Sequence, residues 1–178
     1  MKIGILGGSF NLAHHGHLHI SNIAIKKLHL NQLWWIPTAY NPLKDRAAYQ
    51  DYQKRLQSCQ QIIANHPKIR LKDFQQVYTI DLVRFLQKKY KNCQFIWIGG
   101  ADNLQNLHRW RDYKKLLKLL PFLIVSRETF TNGIGQTKAF MNYKQIRNYQ
   151  VGDHSLPKLR VIRTRNLDIS STMINKSC

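Results

Sequence analysis

Three short stretches carry residues whose types and spacing can do chemistry. The first runs Gly7-Gly8-Ser9-Phe10-Asn11-Leu12-Ala13-His14-His15-Gly16-His17, glycines that end on a His14-x-Gly16-His17 cluster. Glycines directly after a strand let the backbone come close to a ligand, and a helix that follows offers unpaired N–H groups and the positive end of its dipole to an anion. Two imidazoles three positions apart on a first helical turn face one side and can grip one phosphate. The second stretch is Gly99-Gly100-Ala101-Asp102. The third is Asp168-Ile169-Ser170-Ser171-Thr172, in which Asp168, Ser170 and Ser171 supply N-cap side chains for another helix start. Together they describe a site for a phosphate that reacts. Taken alone, the first stretch also reads as a tight turn and a capped helix with incidental histidines.

Such residues must be positioned by a scaffold, and the chain supplies one in which strand-like and helix-like patterns alternate. That alternation predicts an α/β fold, a doubly wound parallel sheet with flanking helices. Residues 2–6 read as a strand. Leu18, Ile20, Ile23, Ala24 and Leu28 then recur at helical spacing, and Leu33-Trp34-Trp35-Ile36 reads as the next strand. Pro37 begins a loop through Asn41-Pro42-Leu43-Lys44, and a helix covers about residues 49–65, closed by His66-Pro67. Ile69-Arg70-Leu71 reads as a short strand, Leu82, Val83, Phe85 and Leu86 as a helix after Thr79, and 94–98 as a buried strand. Leu116, Leu117 and Leu120 mark a further helix before a strand at 122–126. The polar stretch 128–156 reads as a loop or surface element, and 159–162 as a last strand. Ligands on such sheets gather outside the carboxyl ends of the strands, near the switch in strand order. All three chemical stretches fall at such ends.

Length and composition narrow the classes. A chain of 178 residues fits a single domain with a sizeable core, and no apolar run approaches the ~20 residues that span a bilayer. Glycines interrupt the N-terminus at once, so it does not read as a signal peptide, and a cytoplasmic location with no membrane partner is expected. Cys59, Cys93 and Cys178 have neither disulfide-framework nor zinc spacing, which suits a reducing compartment. A net charge of +19 implies anionic partners, for which nucleotides and nucleic acids both qualify; it reads equally as a solvated surface, since the charges spread along the chain. No recognised nucleic-acid-binding motif is present, and whether the chain forms a homo-oligomer is left open.

The HxGH cluster at one end and Ile169-Ser170-Ser171-Thr172-Met173-Ile174 at the other, in this order and on these elements, resemble the HxGH nucleotidyltransferase superfamily, whose members carry an ISSTxIR-like segment. A GxGxxG turn is absent, which disfavours a Rossmann dehydrogenase. Trp35-Ile36-Pro37 with Asn41-Pro42-Leu43-Lys44, Tyr78-Thr79-Ile80-Asp81, Gly100-Ala101-Asp102-Asn103-Leu104, and Trp110 ahead of Val125-Ser126-Arg127 resemble the bacterial nicotinate-nucleotide adenylyltransferases over essentially the whole chain.

That resemblance implies a Rossmann-like sheet of nucleotidyltransferase type and transfer of AMP from ATP to nicotinate mononucleotide. It makes His14 and His17 catalytic. It places ATP against Gly7, Gly8, Ser9, Phe10, Gly16, His17, Ile169, Ser170, Ser171 and Thr172. The nicotinate nucleotide falls to Lys44, Tyr78, Thr79, Gly100, Asp102, Leu104, Trp110 and Arg127. Within that set, Thr79 and backbone near Tyr78 and Leu104 hold the pyridine carboxylate, Trp110 stacks on the ring, and Asp102 meets sugar or backbone near the junction. Mg²⁺ rides on the ATP phosphates with no protein cage. Plainer readings stand beside these. Trp34, Trp35 and Trp110 also read as core, Thr79 as an N-cap, Lys44 as one lysine among many, and His15 and His19 as surface residues.

The chain departs from the family pattern at three places. Leu12 stands where the family has a proline, a change that removes no ligand group. Asn175 replaces the arginine of the ISSTxIR pattern and supplies neither its charge nor its fork, and Lys176 points elsewhere on a helix. The chain ends at Cys178 without the family's further C-terminal helical segment, so a truncated C-terminus is expected. A phosphopantetheine adenylyltransferase and a basic, non-catalytic nucleic-acid binder are the competing readings. The Tyr78-Thr79 and Trp110 features argue against the first.

Overall fold

Strands of a sheet covered on both faces read as unbroken apolar runs, and the runs here form one six-stranded parallel sheet. The structure is a computed structural model that describes residues 1–43, 49–74, 76–127, 137–138 and 159–164. Strands β1 (Lys2–Gly8), β2 (Gln32–Pro37), β3 (Ile69–Leu71), β4 (Gln94–Gly100), β5 (Phe122–Arg127) and β6 (Leu159–Thr164) lie in the order β3-β2-β1-β4-β5-β6. Every pairing is parallel, with Leu6 opposite both Trp35 and Ile98. This is the doubly wound order expected from the alternation. Its topological switch lies between β1 and β4, where the chain, after running outward from β1 to β3, returns to build the other half of the sheet.

Alternate residues on each strand serve two cores. Ile3, Ile5, Trp34, Ile36, Trp97 and Ile124 pack against helices α3 (Thr79–Lys89), α4 (Ala101–Asn106) and α5 (Tyr113–Leu119). Leu6, Leu33, Trp35, Ile96, Ile98 and Leu123 pack against α1 (His15–Leu28) and α2 (Tyr52–Ile63). Trp34 and Trp35 are therefore both core, on opposite faces of the sheet. The indole N–H of Trp35 donates to Ser21 Oγ at 2.8 Å, and Ser21 donates to the carbonyl of His17 at 2.8 Å. This fully satisfied buried pair fixes the first turns of α1 to the sheet.

The sequence pattern placed α2 at about 49–65; it is shorter because Asp51 caps it, its carboxylate accepting from the N–H groups of Gln53 and Lys54. The pattern missed α4 and the 3₁₀ turn Leu107–Arg109. Ala101, Leu104 and Leu107 are buried at steps of three, a signal too short to stand out against polar neighbours. Apart from 137–138, the stretch 128–156 lies outside the described residues. Among the described residues, no helix is long and apolar enough to cross a membrane.

Candidate active site

The glycine turn leaves the carboxyl end of β1, at the switch point, and leads directly into α1. Gly7 owes its lack of a side chain to packing: a Cβ there would stand 2.3 Å from Cη2 of the buried Trp97 ring. At Gly8 a Cβ would meet only the Phe10 ring, at 3.8 Å, so the chain itself leaves room there. Phe10 takes a left-handed φ of 44°, a conformation that a bulky residue holds only when packing enforces it. Its ring is 2% exposed, stacks on Trp35 at 5.1 Å and meets His17 tilted at 4.7 Å between centroids.

His14 and His17 are brought together, ring centroids 3.9 Å apart. The sequence placed both on the first helical turn, whereas His14 is the N-cap, extended in backbone, and only His17 is helical. The cap explains the ring geometry. His14 Nδ1 accepts from the N–H of Gly16 at 3.1 Å, and His17 Nδ1 accepts from the N–H of His14 at 3.2 Å. This is a capping box built from imidazoles instead of a hydroxyl and a carboxylate. A ring whose Nδ1 accepts carries its proton on Nε2, so both rings are set as the Nε2–H tautomer. The first turn of α1 contains no acidic residue, so nothing there offsets the positive end of the helix dipole. Two N–H donors beside such a helix start suit an anion of the phosphate class.

The neighbouring strand β4 delivers the second group. Gly100 is the N-cap of α4, and Asp102 is exposed one residue into that helix. The carboxylate of Asp102 lies over Gly100, where a Cβ would stand 2.6 Å from Oδ1. Leu104 is fully buried core, so only its backbone can meet a ligand. Trp110 is half-buried and meets Trp97 edge-on, centroids 5.6 Å apart at 81°. Trp97 thus links the ring proposed for pyridine stacking to the glycine turn. Its own indole nitrogen is buried with no hydrogen-bond partner among the described residues, as is Nε2 of His19. His19 is accordingly half-buried and not the surface residue expected.

Tyr78 and Thr79 open α3. The plainer reading made Thr79 the cap; the N-cap is Tyr78, with no side-chain cap bond, and Thr79 is the first helical residue. The Arg111 guanidinium sits 4.7 Å over the Tyr78 ring and 3.7 Å from Asp81, a solvent-exposed pair of small energetic worth. Arg127 ends β5. Lys44, Ile169, Ser170, Ser171, Thr172 and Asn175 lie outside the described residues. Among the described residues, no group of three or more His, Cys, Asp or Glu side chains could hold a metal ion.

Sequence reading overlooked α2 as a builder of this site. Arg55 is 1% exposed, and four of its N–H groups donate to carbonyls: Gln50 at 3.2 Å, Ser9 at 2.6 Å, Thr38 at 2.9 Å and Ala39 at 2.7 Å. Burial pulls its pKa below the ordinary arginine value. Ser58 Oγ accepts from the N–H of Ala13 at 3.0 Å, and Asn11 Oδ1 accepts from the N–H of Gln50 at 2.7 Å. The signal available in sequence was a lone arginine among Cys59, Ile62 and Ile63 on an otherwise apolar helix face. A concavity of about 440 Å³, lined in part by Gln60, His66 and Arg70, lies where β3 begins and includes none of the expected site residues.

The cytidylyltransferase-like family model matches residues 5–177. The chain is 38% identical over 135 residues to a Methylorubrum extorquens (strain PA1) protein named "Probable nicotinate-nucleotide adenylyltransferase", covering 74% of this chain and 72% of that protein. A Rhizobium meliloti (strain 1021) protein of the same name is 35% identical over 153 residues, 84% of this chain and 78% of that one. The solved structure of Plasmodium falciparum nicotinic acid mononucleotide adenylyltransferase complexed with NaAD shares the fold, with a TM-score of 0.74 at 22% identity over 98% of this chain and 82% of that chain. Matched along nearly its whole length, the chain belongs to the cytidylyltransferase-like family, among relatives named nicotinate-nucleotide adenylyltransferases.

Proposed function

We propose that this protein transfers AMP from ATP to nicotinate mononucleotide, releasing pyrophosphate and nicotinate adenine dinucleotide. The observation that carries the reading is the imidazole pair, both rings fixed by backbone N–H groups in the Nε2–H tautomer at the start of α1. Named relatives at 35–38% identity support the substrate pair.

In the proposed step a phosphate oxygen of the mononucleotide forms a bond to the α-phosphorus of ATP. The bond from that phosphorus to the α–β bridging oxygen breaks, and its electron pair leaves on pyrophosphate. The nucleophile is already anionic at neutral pH, so no protein base is required. Catalysis is then placement and charge stabilisation. His14 and His17 donate to the phosphates, and the backbone at Gly7, Gly8, Ser9 and Phe10 covers the nucleotide. The Ile169-Ser170-Ser171-Thr172 segment is assigned to the β and γ phosphates. Gly100, Asp102, Trp110 and the Tyr78-Thr79 helix start are assigned to the acceptor, with Lys44 and Arg127. Mg²⁺ enters as part of the substrate, carried on the triphosphate oxygens.

The test is pyrophosphate release with MgATP and nicotinate mononucleotide, run beside phosphopantetheine as acceptor. Turnover with the mononucleotide is expected. Turnover with phosphopantetheine alone, or with neither, overturns the reading.

A further inference from the structure

We infer that Arg55 is a positioning residue for this site: its buried guanidinium sets the glycine turn against the loop that follows β2, and ATP affinity depends on it. The assignment deepens the nucleotidyl-transfer reading and rests on it.

Loops at the ends of neighbouring parallel strands share few ladder hydrogen bonds, so their relative placement must come from elsewhere. Among the described residues a backbone bond joins them, from the N–H of Thr38 to the carbonyl of Gly8 at 2.9 Å, and Asn11 Oδ1 accepts from the N–H of Gln50. Arg55 adds several more ties. Its Nη1 donates to Ser9 on one loop and to Thr38 on the other, while Nη2 donates to Ala39 and Nε to Gln50. The Tyr49 and Tyr52 rings flank the guanidinium at 5.2 and 4.9 Å and hold its plane. The Thr38 hydroxyl in turn lies 3.4 Å from the carbonyl of Gln76, two residues before Tyr78. Tyr52 also donates to Asp73 at 2.7 Å. The first turn of α2 therefore joins loops that follow three neighbouring strands.

A buried cation is a costly way to join two loops, since an apolar contact would fix them without desolvating a charge. What the rigid fork adds is angular placement. Several N–H groups in one plane define where each carbonyl sits, and a lysine cannot reproduce that. A displacement of ~1 Å at a site of this kind costs on the order of 10²-fold in rate.

The experiment is equilibrium titration with ATP of the wild type, Arg55→Lys and Asn11→Ala, together with kcat and KM, at a temperature where circular dichroism shows each protein folded. Asn11→Ala removes a neighbouring tie, the bond that its Oδ1 accepts from the N–H of Gln50, at a half-buried position. A weakening of ATP binding by about tenfold or more in Arg55→Lys, with a smaller change of the same sign in Asn11→Ala, is expected. A purely structural arginine lowers the melting temperature and leaves the ATP Kd and KM of the folded protein unchanged. ATP affinity within twofold of wild type in folded Arg55→Lys overturns the assignment. If that variant does not fold, unchanged affinity in Asn11→Ala overturns it. The titration needs no acceptor, so a wild type that binds ATP but does not turn over nicotinate mononucleotide refutes the function reading while still testing Arg55.

Discussion

The Trp97 ring occupies the space that a side chain on Gly7 would need, its Cη2 standing 2.3 Å from the position of a Cβ. One residue on, at Gly8, the nearest atom is 3.8 Å away. The core thus requires a glycine at position 7, whereas at position 8 the chain itself leaves room for a side chain.

Gly7→Ala is expected to destabilise the protein by about 1–3 kcal/mol through overpacking against a rigid buried indole. Gly8→Ala is expected to melt within a degree or two of wild type and to lose ATP affinity. Thermal melts and ATP titration of the two variants check this. Normal ATP binding by Gly8→Ala would mean that no ligand comes close to that residue.

The observed cap and the proposed phosphate donor at His14 separate in one substitution. Asparagine is among the best N-cap residues, so His14→Asn keeps α1 fastened and removes the imidazole. Stability near wild type with turnover reduced ~10²-fold or more is expected. His14→Ala loses the activity and, in addition, about 1 kcal/mol of cap energy. Activity retained in His14→Asn would take the ring out of the chemistry.

Ser21→Ala leaves the buried indole N–H of Trp35 without its acceptor. An orphaned donor of this kind costs about 1–3 kcal/mol. The melting temperature should fall by ~2–4 °C per kcal/mol, as scanning calorimetry would show. An unchanged melting temperature would mean that another acceptor replaces the hydroxyl.

His66 ties the end of α2 to the start of β3. Its Nδ1 accepts from the N–H groups of Lys68 and Ile69, each at 3.2 Å, and its Nε2 lies 2.9 Å from Asn22 Oδ1. Burial, then the Arg70 guanidinium, hold its pKa below the ordinary histidine value of 6.5. The unfolded chain therefore binds the proton more readily than the folded one. Stability at this residue is fully present above 6.5 and declines as pH falls through that value towards the folded pKa. Denaturant titrations at pH 8 and pH 5 should show a larger acid-side loss for wild type than for His66→Asn.

Burial pushes the Cys59 thiol up to about 12, outweighing the opposing effects of Arg55 and Ser58. Little thiolate exists there at pH 8, and Cys59 should resist iodoacetamide until denaturant is added. Mass spectrometry of the labelled peptide decides the matter.

Most of the sheet was legible because its strands are buried on both faces and read as continuous apolar runs, Leu33-Trp34-Trp35-Ile36 most plainly. The histidine pair was legible because it is local, three residues apart after glycines. The cap was misread, since an imidazole in that position follows no common capping pattern. The partners of Arg55 were not legible beyond its place on an apolar helix face: its four acceptors are backbone carbonyls, which every residue carries, so no side-chain type in the sequence marks them. The same holds for Trp97 and Gly7, adjacent only through the register of β1 with β4. The Ile169-Ser170-Ser171-Thr172 segment, as legible in sequence as the histidines, lies outside the described residues.

A lone pair on His14 Nδ1 is what anchors the beginning of α1. Acid would abolish that anchor by protonating the very atom that accepts. The helix anchor at Nδ1 and the donor proposed at Nε2 therefore sit on one ring, and a doubly protonated ring would lose its bond to the helix start. The lone pair that holds the helix and the N–H proposed to meet phosphate exist together only on the neutral ring.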